Sequence, residues 1–507
     1  MEKRTILAIA LSLLILLSWS ALTAKFHPIE NKEVTAKNPP IISVTPEQIP
    51  ALAPGAEEKI PTSSLFKFGT EKLELTFIAP KAAIQEVSFK GHQNYNLPLK
   101  LGFLIDEKNL LFKKISSSDK EISFAHSDST RKITKRFIFP NSNYDMWLEI
   151  SIQNLSSSPI NVGLPVVLGV LDFSAKNKQA QFQDVFMAEK DKTHHYNGRK
   201  NVEAADLKFM GLREKYFCAI AEPEAESWAG FIRKVSAQDS EVGLKMAEAS
   251  LAPGQSVVKK FHIYLGPQDL RIINKINPAW SSVVNYGTFD IISQILLQLL
   301  EFLYRLVHSW GWAIVILSLL VYFALYPLSI KQMRSMKEMQ ALQPKIEALR
   351  KTYKDNPQKL NKEIMLLYKE HKVNPFGGCL PLLLQMPIFF ALYQALMRSV
   401  SLKGAHFLWI KDLSEPDRLF LLPTSLPILG NEINILPIVM AIGMFLQQKL
   451  SSASTGGAAA EQQKMMLIIM PIMFGIIFYH MPSGLVLYWF INSALMLVFQ
   501  VRLSRAK

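Results

Sequence analysis

The chain has 507 residues, a formal net charge of +14 and an apolar content of 49%. A basic excess can indicate nucleic-acid binding, but its position along the chain matters more than its size. Its two cysteines, Cys218 in a polar region and Cys379 in an apolar segment, exclude a disulfide framework and a cysteine metal site. Apolar runs at the N-terminus and after about residue 311 enclose a long polar region, which favours a membrane protein with a large domain outside the bilayer.

Residues 6–22 form an almost unbroken apolar run behind Lys3 and Arg4. This pattern is typical of a secretory signal or a signal anchor whose N-terminus stays in the cytoplasm. Because the residues that follow make a poor cleavage site, we expect an uncleaved transmembrane anchor over residues 1–24, with a cleaved signal as the alternative. The proline-rich segment 25–64 is then predicted to be an exported linker, since it lacks the apolar residues needed to fold.

Apolar residues alternate with polar ones in short runs between residues 65 and 285. Runs such as 146–152 and 261–265, separated by Gly, Asn, Ser and Pro, predict an antiparallel β-sandwich rather than a parallel α/β sheet. The pair His194 and His195 invites a metal interpretation, but adjacent strand residues point to opposite faces and lack partners at ligand spacing. We therefore expect a polar surface loop there and no metal site.

Residues 286–309 change to a helical period, with apolar side chains opposite acidic, amide and basic ones. An amphipathic helix that leads directly into a span is expected to lie along the membrane surface. The alternative is a helix that packs on the sandwich.

Five further apolar segments follow, which make six predicted spans with the N-terminal run. The segments that we expect to be cytoplasmic carry 18 Lys and Arg, eleven of them in residues 331–373, whereas the short outer loops carry Lys403, Lys411 and Arg418. The positive-inside rule therefore predicts that both chain ends are cytoplasmic and that the sandwich lies on the outer side of the membrane. The five segments are 310–330, 374–397, 435–447, 465–479 and 484–501.

The charged segment 331–373 predicts a cytoplasmic hairpin of two helices, broken at Asp355-Asn356-Pro357. Pro357 suits the first position of the second helix. The methionines of the first helix, Met333, Met336 and Met339, form either an adaptable surface for apolar partners or the seal of the hairpin itself.

Polar side chains inside predicted spans are costly in lipid, so they are expected to face a bundle interior or a water-filled cavity. The segment 374–393, NPFGGCLPLLLQMPIFFALY, combines three prolines with Gln385, which favours a position packed among other helices. No nucleotide-binding, metalloprotease or hydrolase motif is recognisable. We expect neither an enzyme nor a cofactor.

Several motifs in order resemble the YidC-type membrane protein insertases of Gram-negative bacteria. They are the segment 374–393 just quoted, LQPKIEALR, YPL at 326–328, FLWIKDL at 407–413 and PSGLVLYW at 482–489. The resemblance implies an α+β membrane protein of the inner membrane. It would have six transmembrane helices, a periplasmic β-supersandwich, an interfacial helix at 286–309 and a five-helix core at 310–507.

The function that the resemblance implies is to insert and fold integral membrane proteins through a hydrophilic groove, without nucleotide hydrolysis. Implied partners are nascent membrane proteins, the bilayer, the Sec translocon and the ribosome, the last only weakly because the basic tail is short. By position, Ser318, Met386, Pro387 and Trp489 would contact clients, and Tyr322 stands where the family has a groove arginine. Gln385 and Asn492 are further polar candidates in the groove.

Two other functions remain open from the residues alone. A small-solute transporter would explain the polar side chains within the spans, although we find neither an inverted repeat nor a coupling carboxylate. An anchored periplasmic sugar-binding protein would need a convergent polar pocket in the sandwich.

Overall fold

A computed structural model of the chain describes residues 64–92, 95–107, 109–140, 144–163, 165–175, 177, 179–190, 192–224, 228–246, 248–354, 356–371, 373, 380–426, 430–451 and 458–505. The predicted N-terminal anchor, nearly all of the proline-rich linker and Cys379 lie outside these residues. The chain divides into two compact units between Val283 and Val284.

The first unit is built of antiparallel strands, which confirms the predicted sandwich. One sheet has four strands in the order β1-β2-β3-β4, where β1 is Leu65–Gly69, β2 is Leu73–Ile78, β3 is Ala83–Phe89 and β4 is Tyr95–Gly102. The strands outside that sheet are β5 Leu104–Ile105, β6 Lys113–Ser117, β7 Glu121–Ser127, β8 Arg131–Ile138, β9 Asp145–Asn154, β10 Ile160–Val162, β11 Pro165–Asp172, β12 Asp184–Glu189, β13 Lys192–Tyr196, β14 Val202–Arg213, β15 Phe217–Pro223, β16 Trp228–Lys234, β17 Asp239–Met246, β18 Ala249–Leu251 and β19 Ser256–Pro267.

Thirteen of these strands form one large sheet, whose main path is β5-β11-β17-β16-β14-β15-β19-β9-β8-β7-β6. β12 pairs with β13 and β14, while β10 and β18 form a separate pair. Phenylalanines on the inner faces join the two main sheets: Phe77 meets Phe137 edge to face at 5.1 Å, and Phe89 stacks on Phe217 at 3.9 Å between ring centroids. The period-2 pattern therefore places aromatic residues where two sheets bury them.

Lys135 is a fully buried lysine in the middle of this sandwich. Its Nζ donates to the carbonyl oxygens of Ala82 and Phe103, each at 2.5 Å, and both of these residues have positive φ. Burial lowers the pKa of Lys135 from its ordinary value to about 7. The ammonium group thus ties two strained turns to β8.

The histidine pair lies on strand β13 and not in the surface loop that we expected. In the pairing of β13 with β12, His194 lies opposite Met187 and His195 opposite Phe186. His195 Nδ1 is 3.8 Å from Asp184 Oδ2. Their polarity suggested a loop because the sequence does not reveal the neighbouring strand β12. Cys218 is buried in the same sheet, where burial raises the pKa of its thiol.

A short helix α1, Leu270–Ile276, and a 3₁₀ segment, Pro278–Val283, end the first unit. Trp280 of this segment is fully buried, with its ring 4.8 Å from His262 and 6.1 Å from Tyr264. This packing fixes the end of the sandwich on the face of β19.

The second unit is mainly helical. Its helices are α2 Asp290–Val307, α3 Trp310–Thr352, α4 Pro357–Glu370, α5 Leu380–Arg398, α6 Ile435–Ser451, α7 Ala458–Tyr479 and α8 Ser483–Arg505. A 3₁₀ turn, Val400–Leu402, and a hairpin of β20 Phe420–Leu426 with β21 Gly430–Ile433 lie between α5 and α6. By length and composition, two described helical segments are suited to cross a membrane, Trp310–Pro327 and Ser483–Arg502, and Ile435–Lys449 and Leu467–Tyr479 are shorter apolar helices.

Helix α3 runs through the predicted boundary between the first core span and the hairpin without a break. Lys331 and the charged residues after it continue the helix, because lysine, glutamate, methionine and glutamine are all good helix formers. The hairpin turn lies at the predicted position: Asn356 caps α4 by accepting from Lys359 N at 3.0 Å, and Pro357 occupies the first turn as predicted. Leu342 and Ile346 of α3 pack with Val373 to close the hairpin.

Helix α2 has three faces rather than two. Ser293, Leu296, Leu300 and Leu303 are buried against the other helices, and Ser293 Oγ donates to Ala391 O of α5 at 2.9 Å. A polar face carries Asp290, Gln294 and Arg305. The third face is an exposed apolar stripe formed by Ile291, Ile295, Phe302 and Leu306, of which Ile291 is 75% exposed.

Candidate functional site

An aromatic cluster lies at the centre of the helical unit. Trp489 of α8 contacts Phe389 of α5 edge to face at 5.1 Å, and Phe474 and Phe478 of α7 at 5.6 and 5.3 Å. Trp489 is only 9% exposed. It therefore joins three helices, whereas the sequence resemblance implied a contact with clients.

A row of neutral polar groups lies beside this cluster, between α5 and α8. Gln385 Nε2 donates to the hydroxyl of Tyr488, and Asn492 Nδ2 donates to Tyr488 O at 2.8 Å. Tyr488 is fully buried, while Gln385 and Asn492 are partly exposed. Two predicted groove residues thus bond the same tyrosine, Gln385 through its hydroxyl and Asn492 through its backbone carbonyl. The prediction did not name Tyr488.

Tyr322 of α3 is half-buried and surrounded by aromatic rings. Phe323 lies edge to face at 5.8 Å and Tyr326 at 6.2 Å, and Tyr326 in turn meets Phe499 of α8 at 5.1 Å. The Tyr322 hydroxyl is buried and has no hydrogen-bond partner among the described residues. Such a group is costly in an apolar unit unless it serves a partner or water.

The other predicted groove residues differ in their accessibility. Ser318 is fully buried, and its Oγ donates to Ile314 O at 2.7 Å, one turn earlier in α3. Met386 and Pro387 are partly exposed on α5, where Pro387 lies inside the helix. The side chains of Met333, Met336, Met339 and Pro357 lie outside the described part of the structure.

One end of the unit is closed by a hydrogen-bonded network that sequence reasoning missed. The buried carboxylate of Asp417 accepts from Ile435 N at 2.9 Å and Leu436 N at 2.8 Å through Oδ2, which caps α6. The same oxygen accepts from Trp409 Nε1 at 3.2 Å. A cap supplied from 18 residues upstream has no local sequence signal.

The corner between α7 and α8 is held to the same loop. Asn434 Nδ2 donates to Tyr479 O at 2.8 Å, and Ser483 Oγ donates to Asp412 O at 3.0 Å. Gly311, at the start of α3, approaches the Phe407 ring so closely that a Cβ would lie 2.0 Å from it. The loop around residues 405–418 therefore packs on the ends of α3, α6 and α8, and Asn434 holds the end of α7.

The central stretches of the helices carry only neutral polar side chains. The central stretches 310–330, 380–397, 435–447, 465–479 and 484–501 contain no Asp, Glu, Lys, Arg or His. Among the described residues, no group of three or more His, Cys, Asp or Glu side chains could hold a metal ion. The polar groups present can bind and orient a peptide but offer no charged acid or base.

Two family descriptions match the chain in tandem. The YidC periplasmic domain matches residues 106–299, and the 60Kd inner membrane protein matches residues 302–507. The membrane protein insertase YidC of Pelobacter propionicus is 30% identical over 551 aligned positions, which cover 100% of this chain and 99% of that protein. The chain belongs to the YidC family of membrane protein insertases.

A second relative adds to this family assignment, and a solved structure is also similar to the chain. The YidC protein of Cupriavidus necator is 33% identical over 399 residues, which cover 76% of this chain and 68% of that protein. A crystal structure described as an active YidC insertase with its first transmembrane domain resolved is 22% identical, covers 86% of this chain and 92% of that one, and has a TM-score of 0.42. The periplasmic-domain description extends past Val283 to residue 299, and the 60Kd description lies wholly after it.

Proposed function

We propose that this chain inserts and folds integral membrane proteins in the inner membrane through a groove lined by α3, α5 and α8. The observation that carries the proposal is the set of neutral polar groups of Gln385, Tyr488 and Asn492, with the unpartnered hydroxyl of Tyr322, in otherwise apolar helices. Polar side chains inside membrane helices are expensive and are kept where they bind something.

The topology that we propose has six spans with both chain ends in the cytoplasm and the sandwich in the periplasm. The distribution of Lys and Arg along the chain supports this orientation. The exposed apolar stripe of α2 supports an interfacial position for that helix, because a face rich in Ile, Phe and Leu next to a polar face suits the lipid–water boundary. In this topology the sandwich occupies 65–285, the interfacial helix 286–309 and the five-span core 310–507, with the hairpin at 331–373.

The mechanism requires no covalent chemistry. A client enters from the cytoplasm, and the neutral groups of the groove replace part of the water that its polar end loses. The network around Asp417 closes the outer end, so that only a short apolar barrier is left to cross. Transfer of the client helix into lipid then supplies about 25 cal/mol per Å² of apolar surface removed from water.

Individual residues take distinct roles in this proposal. Tyr322, Gln385 and Asn492 hydrogen-bond the client, and Met386 and Pro387 contact its apolar surface. Ser318 and Trp489 are largely buried, so they pack behind the residues that line the groove. They contact a client only where those residues move apart. The hairpin, with Met333, Met336, Met339 and the turn at Pro357, receives the client in the cytoplasm.

The proposed partners are nascent membrane proteins and the bilayer, with the Sec translocon for larger clients and the ribosome during synthesis. Site-directed photocrosslinking tests the groove directly. A probe at Met386 or Tyr322 is expected to crosslink to a stalled nascent membrane protein, whereas a probe at the lipid-exposed Ile442 serves as the matched control. Equal crosslinking from all three positions would overturn the groove, and normal client insertion in cells depleted of this protein would overturn the function.

A further inference from the structure

A polar cleft of about 820 Å³ lies in the sandwich. Its volume falls within the range of ~300–1,000 Å³ that small-molecule sites occupy. The residues that line it come from β14, β16, β17 and the start of β11, and from the loop after β5, the start of β8, strand β10 and the turn after β17. The cleft therefore belongs to the first unit alone and shares no residue with the proposed groove.

Strand pairing places several lining side chains on one face of the large sheet. Phe231 of β16 lies opposite Glu203 of β14 and opposite Gly243 of β17. Because every second residue of a strand faces the same side, Arg233 and Lys245 lie on that face as well. A Cβ at Gly243 would lie 2.5 Å from the Phe231 ring, so this glycine leaves the room that the ring occupies. The cleft thus has one continuous wall of polar side chains around a single aromatic ring.

The charges along the cleft exclude a preference for anions. Arg233 Nη2 donates to Asp106 Oδ2 and to Glu241 Oε2, each at 2.5 Å, so its charge is already matched. Four lining side chains form neither a hydrogen bond nor an ion pair within the part of the chain that the structure describes: Asn161, Glu203, Lys245 and Glu248. They comprise one cation, two carboxylates and one amide, and such a set does not attract an anion.

Arg131 and Glu107 form the second ion pair of the lining, in which Arg131 Nη2 donates to Glu107 Oε1. Glu107 Oε2 and Arg131 Nε are buried, and neither has a hydrogen-bond partner among the described residues. The Nε is 3.8 Å from Asp128 Oδ2, which is beyond hydrogen-bond distance. The pair therefore keeps one acceptor and one donor for which a ligand hydroxyl is a suitable partner after a small shift of the two side chains.

The strands of the cleft offer side chains and not free edges. β16 is paired on both sides, with β14 and β17, and β11 is paired with β17 and β5. An extended peptide binds a sheet by adding a strand to an unpaired edge, so these strands are not suited to that mode. A neutral ligand here has to donate to carboxylates and accept from an ammonium and an amide, and hydroxyl groups can do both. A ligand with several hydroxyls and one apolar face fits this lining best.

We propose that this cleft binds a neutral carbohydrate of one or two rings. Glu203 and Glu248 accept hydrogen bonds from its hydroxyls, and Lys245 donates one. The amide of Asn161 both donates and accepts, and the accessible part of the Phe231 ring contacts the apolar face of the sugar. This binding is separate from client insertion and does not depend on it.

The test is saturation-transfer-difference NMR of the full-length protein in a detergent without a sugar headgroup. Glucose, N-acetylglucosamine and maltose are the probes, and at least one is expected to give signals from its ring protons. Glu203→Ala and Asn161→Ala are each expected to weaken binding of that sugar about fivefold, because each removes a hydrogen bond. Glu203→Gln keeps an acceptor oxygen and is expected to lose less. Asn96→Ala is the matched control, since Asn96 is an exposed strand residue that does not line the cleft.

The outcomes that would contradict the proposal are distinct. Absence of signals from all three sugars would overturn it. Equal affinities of Asn161→Ala, Glu203→Ala and Asn96→Ala would mean that the sugar binds elsewhere and would overturn the site. Displacement of the sugar by an unstructured serine-rich peptide would assign the cleft to polypeptides and overturn the carbohydrate. Client insertion is expected to be unchanged in Asn161→Ala, so these results are independent of the crosslinking in the groove.

Discussion

The side-chain amide of Gln385 donates a hydrogen bond to the hydroxyl of Tyr488 and so joins α5 to α8. Without this hydrogen bond, the buried hydroxyl of Tyr488 would lose its donor and the half-buried amide of Gln385 would lose its acceptor. The pair therefore contributes to stability because each polar group satisfies the hydrogen bond of the other. It contributes to function only if clients bind the same row of polar groups.

A double-mutant cycle separates these two contributions. Tyr488→Phe is expected to lower the free energy of unfolding in detergent by about 0.6 to 2 kcal/mol, because Gln385 loses its acceptor. Adding Gln385→Leu is expected to recover much of that loss. Insertion of a model client in proteoliposomes is expected to stay low in the double variant, and insertion at the wild-type level would remove the polar row from the mechanism.

The uncharged site at Tyr322 leads to a prediction about client choice. Tyr322→Arg introduces a cation into the groove and is expected to favour clients with acidic translocated segments several-fold over matched neutral ones. Tyr322→Phe removes only the unpartnered hydroxyl and is the control. Insertion yields of the two client types measure the effect, and an unchanged ratio in Tyr322→Arg would mean that charge at this position has no influence.

The cap of α6 by Asp417 leads to a prediction about the stability of the helical unit. Asp417→Ala removes the acceptor of two helix N–H groups and of Trp409 Nε1, and is expected to cost about 1 to 2 kcal/mol of stability. Asp417→Asn keeps one acceptor oxygen and is expected to cost less. Hydrogen exchange of the first turn of α6 reports the change locally, and identical protection in all three proteins would contradict the capping role.

Lys135 makes the stability of the sandwich depend on pH. Its pKa in the folded protein is lowered to about 7 by burial, whereas an unfolded lysine titrates near ~10.4. Between these values the unfolded chain binds the additional proton, so stability is greatest above about pH 10.4 and falls as the pH falls towards 7. Below that value the contribution is constant.

The measurement is urea unfolding of the sandwich at several pH values, followed by the fluorescence of the buried Trp280. The difference between wild type and Lys135→Met isolates this residue from the other titrating groups. A slope of up to about 1.4 kcal/mol per pH unit is expected in that difference. A difference that does not vary with pH would show that Lys135 stays protonated in the folded state.

The elements that depend on local periodicity were predictable from the sequence. Alternation of apolar residues is sufficient to indicate the sandwich, and Asn356-Pro357 is sufficient to indicate the start of α4. The continuity of α3 was not predicted because the change from apolar to charged residues near Lys331 is not accompanied by a change of backbone conformation.

The candidate site was predictable in its residue types but less so in its packing. Gln385 bonds the hydroxyl of Tyr488 and Asn492 bonds its backbone carbonyl, and a groove formed by these residues stays a prediction. Trp489 is enclosed by phenylalanines of two other helices, which a single sequence cannot reveal. The contact of Asp417 with the start of α6 is likewise visible only in three dimensions.

Because α3 is one continuous helix, the hairpin and the Tyr322 region of the helical unit lie on the same uninterrupted helix. At about 1.5 Å per residue, Ile346 in the hairpin core is roughly 36 Å along the axis from Tyr322. Pro327 and Pro344 lie between these two residues, and each removes a backbone N–H donor from the helix, so they are the positions at which the helix can bend. If a client binds the hairpin as proposed, the contact reaches the Tyr322 region through the backbone of one helix.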